Sequence, residues 1–269
     1  MARIREADSI SEDLDPRIFG ILFHRIMEQI YSPHKGKVVQ KENIELWLRD
    51  KDKIREVMNS AFEEQVPFIR QSGSEFVDLQ GKNILIYEIL FRYVVRFLEM
   101  ERDQAPFRLA DLEEKVAIIH AVNEKLKVNL GGIIDRTDEK EGITRILDYK
   151  TGSASNSASR LEDLFTQEKH GDKKAIFQTL LYSYIKSVLA GHDSIEPGII
   201  PITKIFDKNF SSSITIDKQP VIFGSVKAEF LERLNPVLEE LFNPTIPFMQ
   251  TRVEKNCNYC LFRQHCFKD

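Results

Sequence analysis

Residues Gly131 to Gly152, GGIIDRTDEKEGITRILDYKTG, place Asp135 and Asp148 near the ends of two short apolar runs. A polar link that contains a glycine joins the two runs, and this pattern predicts a β-hairpin. Side chains two positions apart on a strand share a face, so Asp148 and Lys150 point the same way and Tyr149 points the other way. Pairing of the hairpin would bring Asp135 close to that face. Two carboxylates beside a lysine favour a divalent metal ion as the compensating charge.

The composition is typical of a soluble globular protein, since 42% of the residues are hydrophobic and 30% are charged. A chain of 269 residues fits one large domain or two small ones. No apolar run approaches the ~20 residues of a membrane span, and the charged N-terminus lacks the apolar segment of a secretory signal. We therefore expect a cytoplasmic protein without membrane contact. The formal net charge of −4 argues against a protein that holds duplex DNA through its overall charge. It is compatible with a nuclease whose basic groups are clustered locally.

The apolar periodicity predicts an α/β fold with a mixed sheet. Helices are predicted over residues 18–31, 41–66, 82–102, 173–190 and 223–242. Asp15 and Pro16 are suited to begin the first of these, Gly191 ends the fourth, and Pro236 breaks or kinks the last. Strands are predicted over residues 107–120, 125–135, 143–150, 199–206 and 214–216. Residues 153–159, SASNSAS, are predicted to form a flexible loop.

The residue types in the hairpin suit phosphodiester hydrolysis, which needs an activated water and a cation beside the developing phosphate charge. Asp135 and Asp148 could hold Mg²⁺, which prefers carboxylate oxygens. Lys150 is a compact point charge on a flexible stem and could orient the water or offset that charge. From spacing alone, a surface hairpin with scattered charges explains the pattern equally well.

Three further motifs surround the hairpin residues. GGIIDR opens the hairpin, DYKTG closes it, and QTLLY, from Gln178 to Tyr182, follows on a helix. An earlier helix carries His24 in the context GILFHRIME, which ends at Glu28. The set and its order resemble the PD-(D/E)XK nuclease superfamily, in particular its RecB/AddB-like branch, with the patterns G-x-I-D-R, D-Y-K-[ST]-G, Q-x-x-x-Y and G-x-x-x-H-x-x-x-E. The resemblance runs from residue 19 to residue 266, with a divergent stretch over 34–106.

This resemblance implies a restriction-endonuclease-like core, a central mixed β-sheet flanked by helices, with a helical insertion over residues 34–106. The whole chain, 1–269, would be a single nuclease domain with a cysteine-bearing tail over 243–269. The implied ligands of a Mg²⁺ or Mn²⁺ ion are Asp135, Asp148, the backbone carbonyl of Tyr149, and His24.

The resemblance also implies roles for residues around the metal ligands. Lys150 would be the catalytic lysine. Gln178 and Tyr182 share a helix face and would lie at the edge of the site, touching substrate or the surroundings of Lys150. The family has an acidic residue on the first strand, for which Glu113 and Glu114 are candidates that face opposite sides of a strand. The family's Leu-Glu context favours Glu113.

The chain contains three cysteines, Cys257, Cys260 and Cys266, and all lie near its C-terminus. Clustered thiolates ligate iron–sulfur clusters or zinc. The resemblance implies that they are three of the four ligands of a 4Fe–4S cluster whose fourth cysteine lies upstream, and no cysteine precedes Cys257 here. We therefore expect free thiols in this chain, a cluster only in a longer parent protein, and a chain that is a fragment of it. Zinc with His265 as a ligand is the alternative.

The function implied by the resemblance is a metal-dependent DNA exonuclease in double-strand-break repair and recombination. It would be part of an AddB-like helicase–nuclease with an AddA-like partner subunit. A stand-alone Cas4-like nuclease and a non-catalytic DNA-binding or scaffolding module of the complex are alternatives. The basic residues near the site are candidates for contacts with the DNA backbone, although most such residues are solvated surface charge: Arg136, Arg145, Lys173 and Lys174.

Overall fold

The computed structural model of the protein describes residues 16–65, 82–208, 210–258, 260 and 262–266. The chain forms two compact units. The first unit comprises the residues up to His34 and from Val39 to Pro106, and the second comprises Lys35–Val38 and the chain from Phe107 onward. No helix in the described ranges combines the length and the apolar character needed to cross a bilayer.

The first unit is helical and consists of α1 (Pro16–Tyr31), α2 (Lys41–Arg49), α3 (Lys51–Gln65) and α4 (Lys82–Gln104). The predicted helices over 18–31 and 82–102 are confirmed. Their apolar faces form the core of this unit, where the rings of Phe23 and Phe97 meet edge to face with 5.6 Å between centroids. Burying an apolar side chain of this size contributes about 1.5–3 kcal/mol.

The single helix predicted over 41–66 is wrong, because Asp50 separates α2 from α3. Asp50 leaves the helical conformation at φ −107° and ψ 80°. Its carboxylate accepts a hydrogen bond of 3.0 Å from the backbone N–H of Lys53, as an N-cap residue does. The apolar periodicity continues across the break and therefore did not reveal it. Residue 66 and the helix-starting Asp15 lie outside the described residues.

The second unit is built on a five-stranded sheet and a small three-stranded sheet. The strands are β1 (Val38–Val39), β2 (Phe107–Ala121), β3 (Lys127–Lys140), β4 (Ile143–Lys150), β5 (Ser157–Ala158), β6 (Ile195–Pro201), β7 (Thr215–Ile216) and β8 (Gln219–Pro220). The large sheet has the order β1-β2-β3-β4-β6, and the small one has the order β5-β7-β8. The β2–β3 and β3–β4 pairs are antiparallel and β4–β6 is parallel, so the large sheet is mixed.

Two helices of the second unit pack with its strands, α5 (Gln167–Ala190) and α6 (Phe223–Leu241). Their apolar residues share one core with the large sheet, including Ile146, Ile185, Ile199 and Phe230. The predicted α/β class is confirmed, and the mixed sheet with its helices is consistent with a restriction-endonuclease-like fold. The α5 helix connects β4 to its parallel neighbour β6, as parallel pairing requires a crossover of this length.

The predicted hairpin is confirmed, and β3 is longer than predicted. Lys140 pairs with Ile143, which leaves Glu141 and Gly142 as a two-residue turn with φ values of +53° and +78°. Positive φ at both positions is the type I′ geometry that matches strand twist. The prediction ended β3 at Asp135, because the residues that follow are polar by type.

Several other boundaries differ from the prediction. The α5 helix begins six residues before the predicted Lys173. Its end is as predicted, since Gly191 follows Ala190 in the left-handed conformation. The predicted strand over 199–206 begins instead at residue 195 and ends at Pro201, before a short 3₁₀ helix. The α6 helix continues through Pro236 without a break. The predicted loop over 153–159 contains β5, which pairs with β7.

The polar end of β3 is buried around one carboxylate. Asp138 is fully buried and accepts hydrogen bonds from Arg136 Nε at 2.8 Å and from Arg145 Nε at 2.6 Å. Arg136 is also fully buried, with its guanidinium carbon 4.3 Å from the centroid of the Phe107 ring. The prediction that Arg136 contacts DNA is wrong for this reason. The Arg145 side chain is 11% exposed and is bound to the same carboxylate. The structure therefore does not support the prediction that Arg145 contacts DNA.

A second buried polar contact joins β2 to both helices. The His120 ring lies 2.7 Å from the Tyr184 hydroxyl through Nδ1 and 2.7 Å from Asn235 Oδ1 through Nε2. Burial raises the pKa of the Tyr184 hydroxyl above its usual value of 10.0. The phenol therefore stays protonated, and both ring nitrogens of His120 have partners, so this contact aligns α5 and α6 on the sheet.

We expect Asp138→Ala to destabilise the protein by about 3–5 kcal/mol, because it leaves the buried Arg136 guanidinium without its carboxylate. Glu139→Ala is the matched control, since Glu139 is the next residue of β3 and is exposed. It should change the free energy of unfolding by less than about 0.5 kcal/mol. Urea unfolding of both variants measures the difference. Equal stability of the two variants would contradict the structural role assigned to Asp138.

Candidate active site

Two carboxylates approach each other where β2 passes β3. The strand register pairs Leu112 with Arg136 and Glu114 with Ile134, which places Glu113 opposite Asp135. Carboxylate oxygens of Glu113 and Asp135 lie within 4.8 Å of one another. Glu113 adopts a φ of +47°, a left-handed conformation that is uncommon for a side chain of this kind and that marks a distortion of the strand.

The neighbouring Glu114 has a different partner. Its carboxylate oxygens lie 2.5 Å and 2.8 Å from Lys186 Nζ on α5. The structure therefore brings Glu113, and not Glu114, to Asp135. The residue types left both glutamates open because the two alternate along a strand, and the family resemblance favoured Glu113. The backbone distortion of β2 at Glu113 is not visible in the residue types.

Asp135 also binds the next strand of the hairpin. Its Oδ2 accepts a hydrogen bond of 2.7 Å from the backbone N–H of Tyr149. The regular β3–β4 pairing ends at Arg136 and Leu147. Beyond that pair, the Asp135 carboxylate replaces a backbone carbonyl as the acceptor for the opposite strand. The hairpin thus brings Asp135 to the DYK segment, as its pattern predicted.

Lys150 lies at the end of β4, and its ammonium contacts two side chains. Its Nζ is 2.9 Å from Asp148 Oδ1, 2.8 Å from Asp148 Oδ2 and 3.3 Å from Gln178 Oε1. The Gln178 Nε2 donates to the Tyr182 hydroxyl at 3.0 Å, which turns the amide oxygen of Gln178 toward Lys150. Asp148 is 3% exposed while Lys150 is 30% exposed, so the lysine lies at the mouth of the site.

Gly132 explains how Tyr182 comes so close to the hairpin. A Cβ atom at Gly132 would lie 2.6 Å from Tyr182 Cε1 and 2.7 Å from its hydroxyl. The adjacent Gly131 is small for a different reason, since a Cβ there would lie 2.7 Å from the carbonyl oxygen of Val116. Sequence reasoning missed this contribution of Gly132, because the helix residue that needs the space lies far along the chain.

The remaining site predictions concern His24, Lys173, Lys174 and the cysteines. His24 is a half-buried residue of α1 in the first unit, and its role as a metal ligand stays a prediction. Lys173 Nζ is 2.7 Å from the carbonyl oxygen of Ser157, and Lys174 is exposed. The cysteines are not in disulfides; Cys257 and Cys266 are half-buried and Cys260 is exposed. The iron–sulfur and zinc interpretations stay predictions as well.

The carboxylates suit a hard divalent cation. Glu113, Asp135 and Asp148 supply oxygen donors only, which is the ligand type that Mg²⁺ and Mn²⁺ prefer. Two carboxylates within 4.8 Å repel one another, and a cation bound to both removes that repulsion. The donor set of the second unit therefore fits the predicted metal.

A comparison with protein-family models gives a match over residues 1–267 to the PD-(D/E)XK nuclease superfamily. The chain belongs to the PD-(D/E)XK nuclease superfamily. Membership implies a nuclease, an enzyme that hydrolyses phosphodiester bonds, and nucleases of this superfamily typically use Mg²⁺ or Mn²⁺. No curated protein matches the chain significantly. The superfamily predicted from the motifs is thereby confirmed.

We expect Gly132→Ala to lower the rate of phosphodiester cleavage by about tenfold to a hundredfold, because displaced Tyr182 no longer orients Gln178 against Lys150. Its cost in stability should be small, about 1 kcal/mol, because the far end of a side chain can move away. Gly131→Ala is the contrasting variant and should cost at least about 1–3 kcal/mol, because it meets backbone. Cleavage rates and urea unfolding distinguish the two. A wild-type cleavage rate for Gly132→Ala would contradict this account.

Proposed function

We propose that this PD-(D/E)XK nuclease is a metal-dependent DNA exonuclease, and that it forms the nuclease part of an AddB-like helicase–nuclease in double-strand-break processing. The catalytic part of this proposal rests on one observation, which is that Asp135, Asp148 and Lys150 lie together on one hairpin. Asp135 is held by the backbone N–H of Tyr149, and Lys150 is held by Asp148 and Gln178.

In this proposal Glu113, Asp135 and Asp148 hold the divalent ion, with the Tyr149 carbonyl and His24 as further ligands. The ion, when bound, would supply Lewis-acid stabilisation of the charge that develops on the phosphate. The hydrogen bond from the Tyr149 N–H to Asp135 Oδ2 fixes the orientation of that carboxylate. Fixing the carboxylate in this way lowers the cost of ordering it for each reaction cycle.

The geometry suits Lys150 for stabilising charge at the reacting phosphate. An ammonium has three N–H donors, of which Asp148 and Gln178 accept two. The third can donate to a phosphate oxygen or to the attacking water. Gln178 cannot turn its amide freely, because its Nε2 is bound to the Tyr182 hydroxyl. Tyr182 thus acts on Lys150 through Gln178 and sets the direction of the ammonium.

The assignment to an AddB-like helicase–nuclease is supported by the order of the four motifs and by the spacing of Cys257, Cys260 and Cys266. These cysteines lie in a segment of short 3₁₀ helices, Glu254–Cys257 and Gln264–Cys266. In a longer protein an upstream cysteine would complete a 4Fe–4S site with them. An AddA-like subunit would be the partner that delivers the DNA strand.

We expect Lys150→Ala and Asp148→Ala each to lower DNA cleavage by about a thousandfold while the chain stays folded. Lys115→Ala is the matched control, because Lys115 is an exposed lysine on β2 of the same sheet. Linear and covalently closed circular DNA should be compared, and the exonuclease proposal requires that only the linear form is degraded. Cleavage that survives both substitutions would refute the catalytic assignment, and rapid cutting of the circle would refute the exonuclease part.

Removing divalent ions with a chelator should abolish cleavage, and Mg²⁺ or Mn²⁺ should restore it. Glu113→Gln should raise the Mg²⁺ concentration for half-maximal activity about tenfold or more, because it removes a charged oxygen ligand. Glu114→Gln is the control; it weakens a partly exposed ion pair with Lys186 and should cost less than about 1 kcal/mol in stability. A metal requirement equally affected by both substitutions would contradict the choice of Glu113.

A further inference from the structure

The second unit contains a polar pocket of about 290 Å³ that no step of the proposed mechanism uses. Three hydroxyl groups, two lysines and one aspartate contribute to its lining: Ser157, Ser159, Thr215, Lys173, Lys218 and Asp217. Its polar character distinguishes it from the apolar core that surrounds α5.

The small sheet builds this pocket. β5 pairs in parallel with β7, so that Ser157 lies opposite Thr215. Asp217 and Lys218 form the turn between β7 and β8 and adopt φ values of +49° and +62°. From α5, the Lys173 ammonium reaches the carbonyl oxygen of Ser157 at 2.7 Å and Ser155 Oγ at 3.3 Å. Lys173 is thus held in place by β5, and Lys218 lies on a tight turn.

The pocket and the candidate active site are joined by two short stretches of the chain. Six residues lead from Lys150, at the end of β4, to β5. On α5, Lys173 precedes Gln178 by five residues, about 7.5 Å along the helix axis. Lys174 is exposed and lies one turn before Gln178 on the same helix face. Basic groups therefore extend from the catalytic lysine along α5 to the pocket.

Ammonium and hydroxyl groups are the donors that proteins use for the phosphate oxygens of nucleic acids. The two lysines outnumber the one carboxylate, which makes the pocket locally basic in a chain whose formal net charge is −4. Such a chain needs local positive charge to hold a polyanion. We propose that this pocket binds a backbone phosphate of the DNA strand whose scissile phosphate lies at Lys150. This assignment rests on the proposed nuclease function and extends it to the path of the strand.

Opposite charge changes at the β7–β8 turn test the proposal. Lys218→Asn should weaken binding of a single-stranded oligonucleotide about threefold to tenfold and reduce the slope of log affinity against log salt by about 0.7. Asp217→Asn should tighten binding, because it removes the one carboxylate of the pocket. Asparagine tolerates the left-handed backbone at both positions, so the fold is retained. Both variants are made in the full chain with Lys150→Ala, so that the oligonucleotide is not cleaved during the measurement.

Lys125→Asn is the matched control, since Lys125 is exposed in the turn at the far end of the β2–β3 hairpin, ten residues before Asp135. It should leave affinity and salt slope unchanged. Unchanged affinity in Lys218→Asn, or changes of the same sign in both pocket variants, would overturn the proposal. A pocket for free phosphate would show Lys218-dependent binding of inorganic phosphate with unchanged oligonucleotide affinity, which also overturns it. Cleavage by the wild-type chain is measured in parallel, so that failure of the nuclease proposal is seen separately.

Discussion

The hydrogen bond from the Tyr149 backbone N–H to Asp135 Oδ2 is the contact on which the candidate active site depends. It lies at the point where the β3–β4 ladder ends, and it ties the residue before Lys150 to a candidate metal ligand. A buried or half-buried N–H needs an acceptor, and here a carboxylate supplies it in place of a backbone carbonyl. One bond therefore closes the hairpin and orients the carboxylate.

The surroundings of the hairpin keep this arrangement in place. On one side, Asp138 neutralises two arginines that the long β3–β4 pair buries, and Phe107 covers one of them. On the other side, α5 presents Gln178 and Tyr182 to Lys150, and Gly132 leaves room for the tyrosine ring. Lys150 is thus positioned by a helix and by two adjacent strands, so its ammonium has a fixed place in the candidate active site.

Residue pattern was a good guide to local elements and a poor one to buried charge. The hairpin, the first helix and the mixed sheet followed from periodicity and turn residues. The pattern failed at Arg136 and Asp138, because polar residue types predict exposure, whereas a paired charge can be buried when its partner lies on a neighbouring strand. It failed at Asp50 because a helix cap interrupts the backbone without interrupting the apolar periodicity.

The motifs themselves were enough to predict that Asp135, Asp148, Lys150, Gln178 and Tyr182 form one site. They were also enough to identify the PD-(D/E)XK superfamily, because residue type and spacing along single elements carry that information. The resemblance favoured Glu113, but the contacts that distinguish it from Glu114, and the space that Gly132 leaves for Tyr182, required the folded chain. Each depends on which residues of distant elements meet: Lys186 engages Glu114, the distorted β2 turns Glu113 toward Asp135, and α5 sets the tyrosine against β3. Contacts between elements far apart in sequence leave no local periodic signal, so only packing determines them.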